Sequence, residues 1–327
     1  MDILDSIRQP VAEPLKQYEA YVQAALRSNN PYLTPILDYL FGNRGKGIRP
    51  LLVMLSAALH AGNRPIGDRS CLAAMLVEMV HTASLVHDDV VDEADLRRGK
   101  PSLNALWQSR TAVLVGDYIL SRTFQAGMDS GEYDIVTFIV RSLSELCEGE
   151  LIQSRQSDRL EMTRDIYLDI IYKKTATLIG SCSGAGALSA GASSGEVARM
   201  KRFGDALGIA FQIRDDILDY AAESQTGKPA CGDLRERKIT LPLLTLLEKS
   251  CESERKALLQ KIAGVREHPE NVESLCRAVL EGGGIEMASV IMEEYLGEAR
   301  ELLAPYPDTP PRRSLLALCD FVAEREK

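Results

Sequence analysis

Leu85-Val86-His87-Asp88-Asp89-Val90-Val91-Asp92 and Phe211-Gln212-Ile213-Arg214-Asp215-Asp216-Ile217-Leu218-Asp219 place the same three-acid spacing at two distant points of one chain. The neighbouring residues have helical periodicity. On a helix the first and last acids of each set stack one turn apart, and the middle acid lies about 100° round the axis. Like charges at that spacing oppose a helix by about 0.2–0.5 kcal/mol, and a buried carboxylate without a partner costs far more. Positive charge is therefore expected between the acids. Oxygen ligands alone, with no His or Cys among them, suit Mg²⁺, which keeps several waters and binds together with a substrate's phosphates. One such set belongs as readily to a solvated helix face or first turn. Two sets, interleaved with Val90, Val91, Ile217 and Leu218, favour a paired metal site.

Outward from these stretches the pattern stays helical, and β-branched alternation bounded by turn pairs is not seen. An all-α chain is expected, with helices over 10–28, 32–41, 50–61, 68–93, 103–128, 133–156, 164–190, 195–220, 239–249, 253–263, 271–281, 285–303 and 313–325. Gly and Pro punctuate the breaks at Gly42 to Pro50, Gly62 to Pro65, Gly99 to Pro101, Gly227 to Pro229 and Pro305 to Pro311. Both acid sets fall near the C-terminal ends of long helices, which suggests one mouth of a bundle. The macrodipole favours cations there. Basic loops follow each set: Asp95-Leu96-Arg97-Arg98-Gly99-Lys100-Pro101 after the first, then Lys228 and Arg235-Glu236-Arg237-Lys238 after the second. Acids on helices and bases on loops are what a metal-bridged polyanion needs.

The 327 residues contain no linker-like tract, so a single domain over 1–327 is the simpler expectation. Lys and Arg number 38 against 47 Asp and Glu, a net charge of −9, which argues against a nucleic-acid footprint. Seven cysteines are scattered without a CxxC spacing, so neither a disulfide framework nor a zinc site is favoured and a reducing cytoplasm is expected. No secretory signal is visible at Met1-Asp2-Ile3-Leu4-Asp5. The small-residue run from Leu178 to Ala192 reads as a core helix in preference to a membrane anchor.

Further motifs fall in order along the chain: Gly45-Lys46-Gly47-Ile48-Arg49-Pro50, His81 two turns before Asp88, Lys174-Thr175, and Lys238-Ile239-Thr240-Leu241-Pro242. Singly each is weak, the first being as easily a basic turn and His81 a satisfied core residue. Together with the two acid sets and Arg97-Arg98-Gly99, they resemble the trans-isoprenyl diphosphate synthases from about residue 40 to 245. The resemblance implies an all-α isoprenoid synthase bundle with a central cavity, working as a homodimer. It implies condensation of an allylic diphosphate with isopentenyl diphosphate, using Mg²⁺, about three ions per site. Asp88, Asp92 and Asp215 would ligate the metal, with Asp89, Asp216 and Asp219 in support. Arg97, Lys174, Lys238 and Lys228 would grip the allylic diphosphate. Lys46, Arg49, His81 and Arg98 would hold the second diphosphate, and Thr175 and Gln212 would line the reacting carbons.

In this family the growing tail passes down the helix before the first acid set. Ala83 and Ser84 stand where short-chain members commonly place an aromatic ring, so a medium or long all-trans product of C35 to C50 is expected, ahead of C20 and C15. Octaprenyl diphosphate synthases are of this kind. Phe124, Phe138 and Ile139 are candidates for the floor, a packed-core role being their default. The family usually has Gly where Cys231 and Arg237 stand. Arg325-Glu326-Lys327 is within reach of the site mouth, though a frayed charged end is the expectation. Rival readings are a geranylgeranyl or farnesyl diphosphate synthase, a class I terpene cyclase and a non-catalytic partner subunit. The basic group at Lys46, Arg49 and Arg98 argues against the cyclase, and retention of all acids against the silent partner.

Overall fold

The helical periodicity resolves into α1 (Ile3–Arg8), α2 (Ala12–Ala25), α3 (Thr34–Gly42), α4 (Ile48–Ala61), α5 (Asp68–Val91), α6 (Leu103–Ser130), α7 (Tyr133–Arg159) and α8 (Arg164–Ile171). It continues through α9 (Thr177–Ser189), α10 (Ser194–Leu218), α11 (Gly232–Arg235), α12 (Leu241–Lys249), α13 (Glu252–Ala263), α14 (Asn271–Glu281), α15 (Gly284–Leu303) and α16 (Pro310–Glu324). This computed structural model describes residues 3–43, 45–221 and 231–325. Among them the only sheet is a two-residue hairpin, β1 (Leu96–Arg97) against β2 (Lys100–Pro101). The all-α expectation therefore holds, and helix ends lie within about three residues of those read from the sequence. The expected helix over 103–128 is interrupted at Gln108, whose φ is 69°, and the expected helix over 164–190 is interrupted too. The latter is broken by a wide π-type turn at Tyr172–Ala176, between α8 and α9.

The chain divides into two compact units, each with its own core. The first comprises Met1–Leu143, Ser181–Lys201 and Asp308–Leu315. Its centre is α4, where Leu51, Leu52, Val53, Met54 and Leu55 are all fully buried. A helix apolar on every side can only be an interior one. α5 packs against α2, α4 and α6, burying Leu72 through Val77. It is also long and apolar enough to cross a bilayer, yet two-thirds of its apolar window is buried in protein, as in a core helix. In α9, Cys182, Ala185 and Ala187 have no exposure, in keeping with the core-helix reading of that run.

The second unit comprises Ser144–Gly180, Arg202–Pro307 and Leu316–Lys327. Here α12, opened by Pro242 in its first turn, contacts α8, α13, α14 and α15 and buries Leu241, Leu243, Leu244 and Leu247. Removing one such leucine side chain costs about 2–5 kcal/mol. A disulfide joins Cys231 to Cys276 and ties α11 to α14. That corrects the expectation of no disulfide. The partners are 45 residues apart in sequence, a separation with no short-range signature, and only folding brings them within reach.

Candidate active site

In the first unit the acid set ends α5. Asp92 caps the helix, its N–H donating to the Asp88 carbonyl at 2.8 Å. Asp89, the middle acid, is buried at 4% exposure, whereas Asp92 is exposed and Asp88 lies between. The Asp89 carboxylate accepts from Arg97 Nε at 2.8 Å and again from the same guanidinium through its Nη2. Arg97 is aimed there by the hairpin, whose two turn residues Arg98 and Gly99 both have positive φ, 54° and 72°. A two-residue hairpin turn with both φ positive matches the strand twist. Arg98 in turn donates to the Asn43 carbonyl at 3.1 Å and lies against Gly45, where an added Cβ would come within 2.6 Å of the guanidinium. The local requirement for glycine in this segment is at Gly47, whose φ of 64° is left-handed. Lys100 meets the Asn43 side chain, and Arg8 reaches the Lys46 carbonyl.

His81, Asp89, Arg97 and Arg98 line one cavity of about 80 Å³, with Tyr39, Phe41, Asn43, Thr82 and Lys100. Burial, then the fields of Arg49, Arg98 and Arg97, hold the His81 imidazole well below its ordinary pKa. A neutral imidazole among three guanidinium groups can offer a hydrogen bond to an anion without adding to their mutual repulsion. Of the residues expected to hold the second diphosphate, His81 and Arg98 line this cavity, Arg49 acts on it through its field, and Lys46 follows Gly45. Ala83 is fully buried, and the Ser84 hydroxyl donates to the His81 carbonyl at 2.9 Å. Ile139 is buried, and Phe138 fills the space beside Gly184.

In the second unit the other set ends α10. Asp216, again the middle acid, is 4% exposed. It accepts from Tyr167 Oη at 2.6 Å and from Gln212 Nε2 at 3.0 Å. Gln212 Oε1 accepts from Thr175 Oγ1 at 2.9 Å. The π-type turn presents Thr175, and α10 comes close enough because residue 208 is glycine: a Cβ there would lie 2.6 Å from the Ala176 Cα. Wide turns of this kind recur at functional sites. Burial, then the charge of Asp233, pushes the Asp216 carboxyl up to about 8, and Asp233 is itself raised to about 6, chiefly by burial. Lys174 donates to Gln153 and pairs with Glu150, both at 2.8 Å, on α7. Lys238 pairs with Glu236.

Asp219 has a supporting place. Its carboxylate accepts the backbone N–H groups of Gly232 and Asp233, each at 3.0 Å, and its carbonyl accepts that of Cys231 at 2.7 Å. Cys231 and Arg237, where the family usually has glycine, both have a φ of 60°. The departure is thus a side chain placed on a left-handed backbone that glycine would adopt freely. Lys228 lies outside the described residues.

At Arg325 the chain packs onto the second acid set, as the alternative to a frayed end had it, and Glu326 and Lys327 lie outside the described residues. Arg325 forms an ion pair with Asp215, donates to the Phe211 carbonyl at 2.9 Å and stacks on the Phe211 ring at 3.8 Å. Arg214 grips the Arg325 carbonyl at 3.0 and 2.8 Å. Tyr167 and Asp233 are the residues that the sequence reading missed, and Arg325 it placed second to a frayed end. Tyr167 offered no signal beyond a polar tip on an apolar helix, and Arg325 lies 110 residues from its partner.

Among the described residues no three His, Cys, Asp or Glu side chains form a ready-made metal cage. The donors at the outer positions of both sets are carboxylates alone. That set suits a hard ion completed by water and phosphate, the way Mg²⁺ is held, and does not suit a structural zinc.

Residues 30–279 match the family model described as Polyprenyl synthetase. Across 97% of this chain and 99% of the relative, the sequence is 33% identical to a short chain isoprenyl diphosphate synthase of Methanothermobacter thermautotrophicus. It is 35% identical to nonaprenyl diphosphate synthase of Mycobacterium tuberculosis, over 94% of this chain and 91% of that one. A polyprenyl synthase from Caulobacter crescentus, crystallised with calcium and isoprenyl diphosphate, superposes with a TM-score of 0.90 at 31% identity, covering 99% of this chain and 98% of that one.

Proposed function

This chain belongs to the polyprenyl synthetase family, and from that membership we propose that it is a Mg²⁺-dependent prenyltransferase that extends an allylic diphosphate with isopentenyl diphosphate, head to tail, into a medium or long all-trans polyprenyl diphosphate. The observation that carries the reading is the shared build of the two acid sets. Each ends a long helix, with its middle acid buried and its outer acids more accessible.

Asp88, Asp92 and Asp215 are the residues that would hold the divalent ions. When bound, such ions draw charge from the diphosphate oxygens as the allylic C–O bond breaks. The remaining chemistry belongs to the chain. Arg97, Lys174 and Lys238 place fixed positive charge where the leaving diphosphate gains negative charge, and charge already in place costs no reorganisation at the moment of reaction. Lys46, Arg49, His81 and Arg98 orient the isopentenyl diphosphate so that its double bond meets the allylic cation. Thr175 and Gln212 keep the polar wall fixed, because each already satisfies the other. The departing diphosphate is the base that removes the final proton. No Ser, Cys or His nucleophile is needed.

Ser84 and Ala83 leave the tail room, which supports a product of C35 to C50. Relatives of similar identity bear both short-chain and nonaprenyl names, so length rests on these two side chains. Exposed Val113, Leu114 and Met128, which follow the break at Gln108, recur on α6 at helical spacing and support a homodimer through that face. A cytoplasmic location is part of the same proposal.

Incubation with Mg²⁺, isopentenyl diphosphate and farnesyl diphosphate, followed by chain-length analysis, tests the activity. Incorporation peaking between C35 and C50 is expected. No incorporation, with or without a co-expressed partner, defeats the catalytic reading. Ser84→Phe is expected to shift the products to shorter chains, and an unchanged distribution removes the argument on length. Ala83→Phe is the harsher probe, since a ring at a fully buried position strains the core by about 1–3 kcal/mol.

A further inference from the structure

We propose that Cys231 and Cys276 are a redox modification site: a dithiol–disulfide couple that exchanges with low-molecular-weight thiols through a surface cavity and sets how firmly the turn around Asp219 is held. Three independent observations meet there. The two sulfurs are joined, with Cα atoms 6.3 Å apart. They open onto a cavity of about 490 Å³ rimmed by Arg235, Pro269, Glu273 and Arg277, with Arg277 paired to Glu273. The two differ in access, since Cys231 is 1% exposed and Cys276 is half-buried.

Access decides the order of events. A thiolate entering the cavity attacks Cys276 Sγ, the reachable sulfur. The Cys231–Cys276 bond breaks, and Cys231 leaves as a thiolate that takes up a proton. A second thiolate then attacks the mixed disulfide, forming the free disulfide of the small thiol and leaving Cys276 as a thiolate. Two electrons pass from two small thiols to the protein disulfide, and a small-molecule disulfide returns them in reverse. Cys147 and Cys251 are exposed but have no partner cysteine bonded to them.

The consequence follows from what Cys231 holds. Its N–H donates to the Asp219 carbonyl, and the next two N–H groups cradle the Asp219 carboxylate. Two turns of chain later, the Lys238 N–H donates to the Asp233 carbonyl at 2.8 Å. Cys231 adopts a left-handed backbone that a residue with a Cβ resists. The covalent tie to α14 holds it in place. In the dithiol state that turn has only its hydrogen bonds, so Asp219 and the segment leading to Lys238 loosen.

The test uses the full chain equilibrated with glutathione disulfide or with dithiothreitol, then alkylated in denaturant and mapped by mass spectrometry. Five alkylated cysteines and a linked Cys231–Cys276 peptide are expected in the oxidised sample, against seven in the reduced one. In Cys231→Ser, glutathione is expected on Cys276. Reduction is expected to lower the melting temperature by about 5–10 °C and to speed amide exchange over 231–238. Cys276→Ser, checked for folding by circular dichroism, is expected to melt alike in both states. Seven alkylated cysteines in the oxidised sample overturn the proposal, as does exchange over 231–238 that ignores reductant. None of these readouts depends on prenyl transfer, so the couple and the enzyme activity stand or fall separately.

Discussion

The acid sets of α5 and α10 share a spacing and differ in how their charge is met. In both, the middle acid is the buried one, Asp89 and Asp216 each at 4% exposure. Helix geometry dictates this, since the middle residue lies off the line of the outer two. The counter-charge follows no such rule. Asp89 is met by a cation, Arg97, eight residues on. Asp216 is met by neutral donors, Tyr167 and Gln212, and burial keeps its proton on up to about pH 8. A motif thus fixes which acid is buried, while the surrounding chain fixes whether that acid is charged.

The largest expected effect is on the outer acids, where the two regions are proposed to do the same work. Asp88→Ala and Asp215→Ala are each expected to lower kcat by about 10²–10³-fold or more, the size of losing one aimed electrostatic contact in an active site. Circular dichroism should be unchanged, because neither residue is buried. A variant that folds and retains more than a tenth of wild-type kcat removes that set from the metal site.

Why one set was more legible than the other has a physical answer. Arg97 reads only as a basic loop residue for the diphosphate, yet it lies close enough in sequence for a short hairpin turning at Arg98-Gly99 to bring it back onto Asp89. Helix ends and the C-terminal placement of both sets were likewise written locally, in periodicity, whereas the Thr175–Gln212 bond spans 37 residues and was not. Tyr167, Asp233, Arg325 and the Cys231–Cys276 bond were not. Each depends on contacts between segments far apart in the chain, and long-range packing leaves no trace in spacing. The π-type turn at Tyr172–Ala176 was missed for another reason, since a wide turn keeps the apolar pattern of the helix it interrupts.

The middle acids should separate the two regions by pH. Asp216 has a folded pKa raised to about 8 from 3.8, so its protonated form is favoured by folding. Its stabilising contribution is complete below about pH 4 and is lost as pH rises through about 8. Asp233, raised to about 6, acts in the same direction over a lower window. The metal-free protein is therefore expected to melt at falling temperature as pH rises from 5 to 9, with the portion above pH 6 flattened in Asp216→Asn. Asp89→Asn should instead lower stability by about 1–3 kcal/mol at neutral pH, because it weakens a charge-assisted bond to Arg97. Equal slopes in wild type and Asp216→Asn would show that Asp216 is ionised in the fold.

The smallest expected effect concerns Arg325, the feature that makes the second set unlike the first at an outer position. Its guanidinium is bonded to the Asp215 carboxylate, so a divalent ion must compete with a tethered cation for that ligand. The pair is unequal in exposure: the Arg325 side chain is 8% exposed and that of Asp215 is 44%. Solvent reaches the carboxylate and weakens the attraction, which limits the competition to about 0.2–1 kcal/mol. Arg325→Ala is accordingly expected to tighten Mg²⁺ binding in the presence of an inorganic diphosphate by about two- to fivefold, read by calorimetry. Stacking on Phe211 is lost as well, so Arg325→Met, which keeps an unbranched apolar stem beside the ring, separates packing from charge. If both variants bind the ion more weakly, Arg325 supports the second set and does not compete for it.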